Sequence, residues 1–208
     1  MTEPRFRRRK EDRPAEIAEA ALAEFSAKGY DAARVDDVAR RAGVSKGLLY
    51  LYFRTKEELF KAVIRNFVSP RVRGLAESIR DTELSAEQFL RGPFLQFAKQ
   101  IPKSPARKLV RLIVAEGPKH PDLIEYYWDN VVMHGLNAMR TLIERGVKNG
   151  EFRKSALDEF PQMLIMPVLF SVVWTGVFNK QHPLDTDRFI ESHLEFMLSS
   201  VLRNASHG

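Results

Sequence analysis

Between Arg34 and Phe60 the chain reads RVDDVARRAGVSKGLLYLYFRTKEELF, and few backbone shapes satisfy all of its local signals at once. Val35, Val38, Ala39 and Ala42 recur at helical spacing and make one short amphipathic helix. Gly43 follows, where a left-handed residue ends a helix at little cost. Val44 can plug an apolar corner, and Ser45 is a good N-cap for a next helix on which Leu49 and Phe53 share a face. Thr55 and Glu58 have capping-box spacing, and Leu59, Phe60 and Val63 start a third helix. Two short helices about a Gly-containing turn form a helix-turn-helix, whose second helix can lie in the DNA major groove.

The other residues of that second helix suit the same task. Ser45, Lys46, Gly47 and Leu48 occupy its first turn, where free N–H groups and a partial positive charge favour phosphate. Gly47 costs about 1 kcal/mol inside a helix relative to Ala, which is tolerable where a backbone must approach a partner closely. Tyr50 and Tyr52 carry hydroxyls able to donate to phosphate oxygens, and Lys56 opens the following helix beside them.

The run AGVSKGLLYLYFRTKEELF resembles the DNA-binding signature of the TetR/AcrR family of bacterial repressors, and the block from Ile17 to Val38, with its Gly29-Tyr30 turn, resembles the family's first helix. The likeness spans roughly the first third of the chain. It implies an all-α dimer, with an N-terminal three-helix reading head on a larger helical body that pairs subunits and often holds a small effector. It also implies that a long helix after the head links it to the body. Three positions depart from the pattern. Arg34 stands where Ser or Thr usually caps, so the cap is lost while a charge contact stays possible. Leu48 follows the SKG run, and Leu51 separates the two tyrosines. Leu48 has no hydrogen bond to offer a base edge, though it can pack on a thymine methyl, so no operator sequence follows by analogy.

With 208 residues the chain can bury a proper core. Its formal charge of +6 and pI near 9.6 agree with a polyanionic partner. The absence of cysteine removes disulfides, thiolate metal sites and thiol nucleophiles. No apolar run reaches the ~18 residues of a membrane span, and the basic N-terminus lacks the apolar core of a secretory signal, so a cytoplasmic protein is expected.

Three segments are expected. Residues 1–13 hold Arg5, Arg7, Arg8, Arg9, Lys10 and Arg13 and read as a flexible basic arm, either a solubilising tail or a source of phosphate or minor-groove contacts. Residues 14–62 read as the helix-turn-helix domain, with Pro14 in the first turn and Ile17, Ala21 and Phe25 bracing the head. Residues 63–208 read as a helical dimerisation and effector domain, for about nine helices in all. Ser69-Pro70 interrupts the linking helix. Ser85 with Gln88, Ser104-Pro105 and Asp185 or Thr186 mark later helix starts. Residues 157–178 are the most apolar part, and with the last helix, including Phe189, Phe196 and Val201 on its inward face, they suit a four-helix interface between two subunits.

A small, largely apolar effector would sit among aromatic side chains with a few polar groups. The candidates are Phe89, Phe94, Phe97, Trp128, Met133, Phe170 and Trp174, with Glu116, His134 and Asn137 supplying polarity on otherwise apolar helices. Aromatic residues at helical spacing are more often ordinary core, and buried polar groups on such helices are more often satisfied core or interface groups than ligand contacts. No enzyme is expected: the five histidines lack metal-binding spacing, and no nucleophile elbow, P-loop or dinucleotide fingerprint is present. His120 with Asp122 and Glu125 reads as a solvated helix start, and no metal or cofactor is expected. The function these features favour is a sequence-specific transcriptional regulator, a repressor that an effector releases from a palindromic operator. A DNA-binding nucleoid or division factor without effector control shares the same features.

Overall fold

The computed structural model describes the backbone of residues 5–203 and the side chains of residues 12–203. Its described part is all-α, without a β-sheet. Thirteen α-helical segments occur, and because several join through π or 3-10 turns they amount to about ten rods. The chain divides into two compact units, one of residues 1–70 with 108–130, the other of residues 71–107 with 131–208.

The first unit holds α1 (Arg5–Lys28), α2 (Val35–Arg41), α3 (Lys46–Tyr52), α4 (Lys56–Phe67) and α9 (Pro121–Tyr127), and most of α8 (Ala106–Glu116). The expected boundary at residues 62/63 differs from this division, since the first unit runs to Pro70 and recruits a later stretch of chain. Ile17, Ala21, Leu22 and Phe25 of α1 are buried with Leu59, Phe60, Val63 and Ile64 of α4 and with Leu109 and Leu112 of α8. The Phe25, Tyr30 and Phe60 rings form a mutual cluster with centroids 5.3 to 5.6 Å apart.

Helix α1 starts at Arg5, so residues 5–13 are helical where the sequence suggests a flexible arm, and Pro14 lies inside the helix. Arg, Lys and Glu are good helix formers, and an Arg13–Glu16 ion pair of 2.8 Å bridges the proline. Residues 1–4, and the arm's side chains up to Glu11, lie outside the described residues. Thr55 caps α4 by accepting from Glu58 N–H, but the Glu58 carboxylate accepts from Arg54 N–H at 2.7 Å, one residue before the expected partner.

The second unit comprises α5 (Ser69–Asp81, from Arg71 onward), α6 (Ala86–Phe89), α7 (Leu95–Gln100), α10 (Met133–Lys148), α11 (Ala156–Glu159), α12 (Met166–Val177) and α13 (Thr186–Val201). Ser85 and Gln88 form the expected capping box. Proline at 93 would remove an N–H and press on the preceding turn of an α-helix. The backbone widens instead into a π turn over Leu90–Phe94, so α6 continues into α7. Leu75, Ile79, Phe89, Leu90, Phe94, Leu142, Ile143, Val168, Leu194 and Leu198 fill one core. Gly146 is required there: a Cβ would meet the Phe152 ring at 2.3 Å.

Helix α12, from the most apolar stretch, is buried within the single chain along one side only. Val168 and Val172 face the core, whereas Met166, Leu169, Phe170, Val173 and Val177 are exposed. On α13 the exposed exception is Phe196, at 73% against the expected inward position. Elsewhere on α13, ion pairs Lys99–Glu191 at 2.8 Å, Lys103–Asp187 at 2.5 Å and Arg91–Glu195 tie it to the stretch around α7.

Candidate nucleic-acid interface

Helices α2 and α3 are held by the burial of one face each. Val38 and Ala39 are buried on α2, and Leu49 with Phe53 on and just beyond α3. Gly43 turns the chain between them at φ +65°, the left-handed region where glycine is favoured, and Val44 N–H donates to Ala39 O at 3.0 Å. Ser45 Oγ accepts from Leu48 N–H at 3.1 Å and caps α3. Once Leu49 points inward, the helical period turns Gly47, Tyr50 and Leu51 outward. Tyr50 is 40% exposed and Leu51 81%, the highest value of any large apolar side chain among the described residues. A Cβ on Gly47 would meet nothing within 4 Å, so the protein's own packing does not demand this glycine.

The charges around this head are arranged in chains. Glu24 of α1 is buried to 2% exposure and binds Lys28 and Arg41, the latter at 3.0 Å. Lys28 also binds Asp37 of α2 at 2.8 Å. Hydrogen bonds from Lys28 are the largest influence holding both the Glu24 and Asp37 carboxyls below their ordinary range. Lys46, the first residue of α3, pairs with Asp36 at 2.8 Å, and that bond raises its ammonium above the usual lysine value. Its Nζ also stands 6.0 Å from the Tyr50 ring centroid. Lys56 folds back: its Nζ donates to Asp31 O at 2.8 Å and lies 4.6 Å from the Tyr30 centroid, and burial lowers its pKa.

The outward residues of α3 therefore include Lys46, Gly47 and Tyr50 among those singled out from sequence. Ser45 is present but its oxygen serves the cap. Leu48 and Tyr52 are half-buried, and the Tyr52 ring packs 6.5 Å from Phe53. Arg34 precedes α2 with extended backbone and no side-chain cap, as its identity suggests. Leu51 was absent from the sequence-based set of contacts, yet it shares a face with Gly47 and Tyr50, which spacing alone discloses.

The effector candidates fall into different surroundings. Phe89 and Phe94 are core fillers of the second unit, at 1% and 2% exposure, and Phe97 packs half-buried against them. Met133, His134 and Asn137 of α10 are exposed, with Asn137 Oδ1 accepting from Arg140 at 3.2 Å. Phe170 and Trp174 belong to an aromatic row with Phe178 and Phe189, centroids 5.0 to 5.4 Å apart. Trp128 is exposed in the first unit. Glu116, also in the first unit, stands beside Gly29, Asp31 and His120. His120 thus groups with Asp31 and Glu116 rather than with Asp122 and Glu125, a convergence that sequence distance hides.

Residues 17–63 match the model for bacterial regulatory proteins of the tetR family, and residues 85–191 match the tetracyclin repressor-like C-terminal domain. The fatty acid metabolism regulator protein of Bacillus subtilis is 22% identical over 187 residues, covering 89% of this chain and 94% of that protein. The HTH-type transcriptional repressor KstR2 of Mycolicibacterium smegmatis is 24% identical, covering 91% and 90%. The solved SmeT–triclosan complex superimposes with a TM-score of 0.78 at 20% identity, covering 93% of each chain. None of the described helices is long and apolar enough to cross a membrane. Matched across both its head and more than half of its length by the C-terminal domain, the chain belongs to the TetR family of transcriptional regulators.

Proposed function

We propose that this regulator is a cytoplasmic, homodimeric repressor whose paired heads read a palindromic operator and which a small, largely apolar effector releases. One observation carries the DNA reading: α3 is locked on its Leu49 side and turns Gly47, Tyr50 and Leu51 outward. Leu51 is suited to a thymine methyl in the major groove, and the Tyr50 hydroxyl to a phosphate. Lys46 exchanges Asp36 for phosphate on binding, and Arg34 adds a charge at the start of α2. Ser45 caps the helix, half-buried Leu48 and Tyr52 flank its outward face, and Lys56, held on Asp31 O and the Tyr30 ring, opens the next helix.

Pairing of two subunits is assigned to α12 and α13. Met166, Leu169, Phe170, Val173 and Val177 recur at helical spacing and form a continuous exposed apolar stripe, and Phe196 of α13 is exposed between Ser192 and Ser199. Small neighbours allow a partner helix to approach closely. A dimer presents two heads about a twofold axis, hence half-sites about one helical turn apart or slightly more.

Release follows from linkage: a ligand that prefers the conformer with mismatched heads lowers DNA affinity by its differential affinity for the two states. The names of relatives support this reading, since KstR2 is a repressor and SmeT was solved with triclosan. The effector contacts are assigned to the second unit, where Phe97 and Met133 are apolar side chains left incompletely buried and His134 and Asn137 lie three residues apart on α10. Selection of bound duplexes from a random pool tests the central claim. An inverted repeat is the expected product; no enrichment, or a solitary half-site, overturns it.

A further inference from the structure

We infer that Asp31, Glu116 and His120 form a binding site for a first-row divalent transition metal, with zinc the ion best matched. The three residues come from two corners of the first unit. Asp31 lies in the turn after α1, Glu116 ends α8, and His120 immediately precedes α9. One ligand atom from each lies within 4.8 Å of the other two. His120 Nε2 stands 3.0 Å from Asp31 Oδ1, yet it is buried and makes no geometrically sound hydrogen bond. Ligand atoms around a tetrahedral zinc at 2.0–2.1 Å are about 3.3 Å apart, so shifts of side-chain size bring the three onto one ion. One imidazole and two carboxylates suit zinc, and a fourth position open to water completes the coordination.

The surroundings hold the ligands in place. The His120 ring packs edge-on against Tyr30 at 4.6 Å between centroids, which fixes its plane. Gly29, at φ +80°, has no Cβ, and one built there would meet Glu116 Oε1 at 2.8 Å. The glycine therefore gives the carboxylate its place as well as the turn its shape. Glu116 and His120 side chains are 19% and 22% exposed and Asp31 63%, so two of the three ligands are partly shielded, which strengthens ion binding, while the third opens to solvent. Two cations oppose it. Lys119 lies 3.2 Å from Glu116 but is 63% exposed, so it can swing into solvent when an ion arrives. Lys56 is already committed to Asp31 O and the Tyr30 face.

A bound ion would tie the turn that follows the head's first helix to the corner between α8 and α9. Metal occupancy then becomes a second input to the head, separate from any organic effector.

The experiment is isothermal titration of the metal-free full chain with zinc chloride, with magnesium chloride as the comparison and no DNA present. One zinc per chain with a dissociation constant in the micromolar range is expected, and no heat from magnesium. His120→Gln and Glu116→Gln should each weaken zinc binding at least tenfold while circular dichroism shows the native helical spectrum. His182→Gln, which alters none of the three ligands, should leave it unchanged. Asp31→Asn, on an exposed turn, provides a milder variant should either of the first two unfold. Absence of zinc binding up to millimolar concentration, or equal binding by folded His120→Gln and Asp31→Asn proteins, overturns the site. Because no operator enters the titration, its failure leaves the DNA reading untouched.

Discussion

Helices α3 and α12 both expose apolar side chains, and they do so in opposite ways. Helix α3 shows one aliphatic residue, Leu51, next to Tyr50 and amid Lys46 and the bare backbone of Gly47. Helix α12 shows five apolar residues in an unbroken stripe from Met166 to Val177, with no charge in the helix. An isolated apolar tip among cations and hydroxyls suits a polyanion that presents methyl groups between its charges. A continuous apolar stripe offers nothing to a polyanion and gains only by excluding water against another protein surface. The same residue class therefore carries two meanings, decided by what surrounds it.

The largest effect that would sharpen this contrast is on α12. Phe170→Asp with Val177→Asp should convert the proposed dimer to a monomer in sedimentation, and operator affinity should fall by about 100-fold or more as the two heads lose their linkage. A stable dimer in the double variant would break the comparison at its root.

Next comes α3. Leu51→Ala should relax the preference for thymine at one position of each half-site, an effect of about 1 kcal/mol. Tyr50→Phe should weaken all sequences alike by a similar amount. Unchanged melting temperatures should accompany both, because neither side chain is part of the core. A shift in which Tyr50→Phe alters sequence preference and Leu51→Ala does not would exchange the two roles.

Acid tests the scaffold behind α3. Glu24 and Asp37 have folded pKa values below their unfolded ones. Their contribution to stability is therefore present above the ordinary carboxylate pKa of about 4 and disappears as pH falls through the lower folded values. Thermal melts at decreasing pH should show the loss, and Glu24→Gln should flatten the slope in that range. A slope unaltered by Glu24→Gln would remove this pair of contacts from the account.

The smallest effect concerns Lys46. Asp36→Asn frees it, so binding to random duplex should strengthen a few-fold and the dependence on salt should steepen by about one phosphate contact per head. No change in the salt slope would show that Lys46 is not recruited by phosphate.

The head was largely legible in the residues. Ser45, Thr55, Ser85 and Asp185 cap the helices that their identities announce. Gly43 turns left-handed where the helix pattern stops, and Arg34 leaves its helix uncapped. These are local effects, each settled within four residues, and local chemistry survives in sequence. The effector set and the last helix were less legible: Phe89 and Phe94 are buried in the core of the second unit, Glu116 stands in the first unit, and Phe196 of α13, expected inward, is exposed. Aromatic side chains look alike in sequence whether they fill a core, cover an interface or line a cleft.

By itself, then, the sequence determined the positions of most helix starts, the reading head and the family, because caps, turns and apolar period depend on neighbours along the chain. Tertiary structure alone decided that Leu51 is the most exposed large apolar residue among those described, that α12 has a bare side, and that Asp31 meets Glu116 and His120. Those outcomes depend on which surfaces are left after segments far apart in sequence have packed, and no short window of residues contains that information.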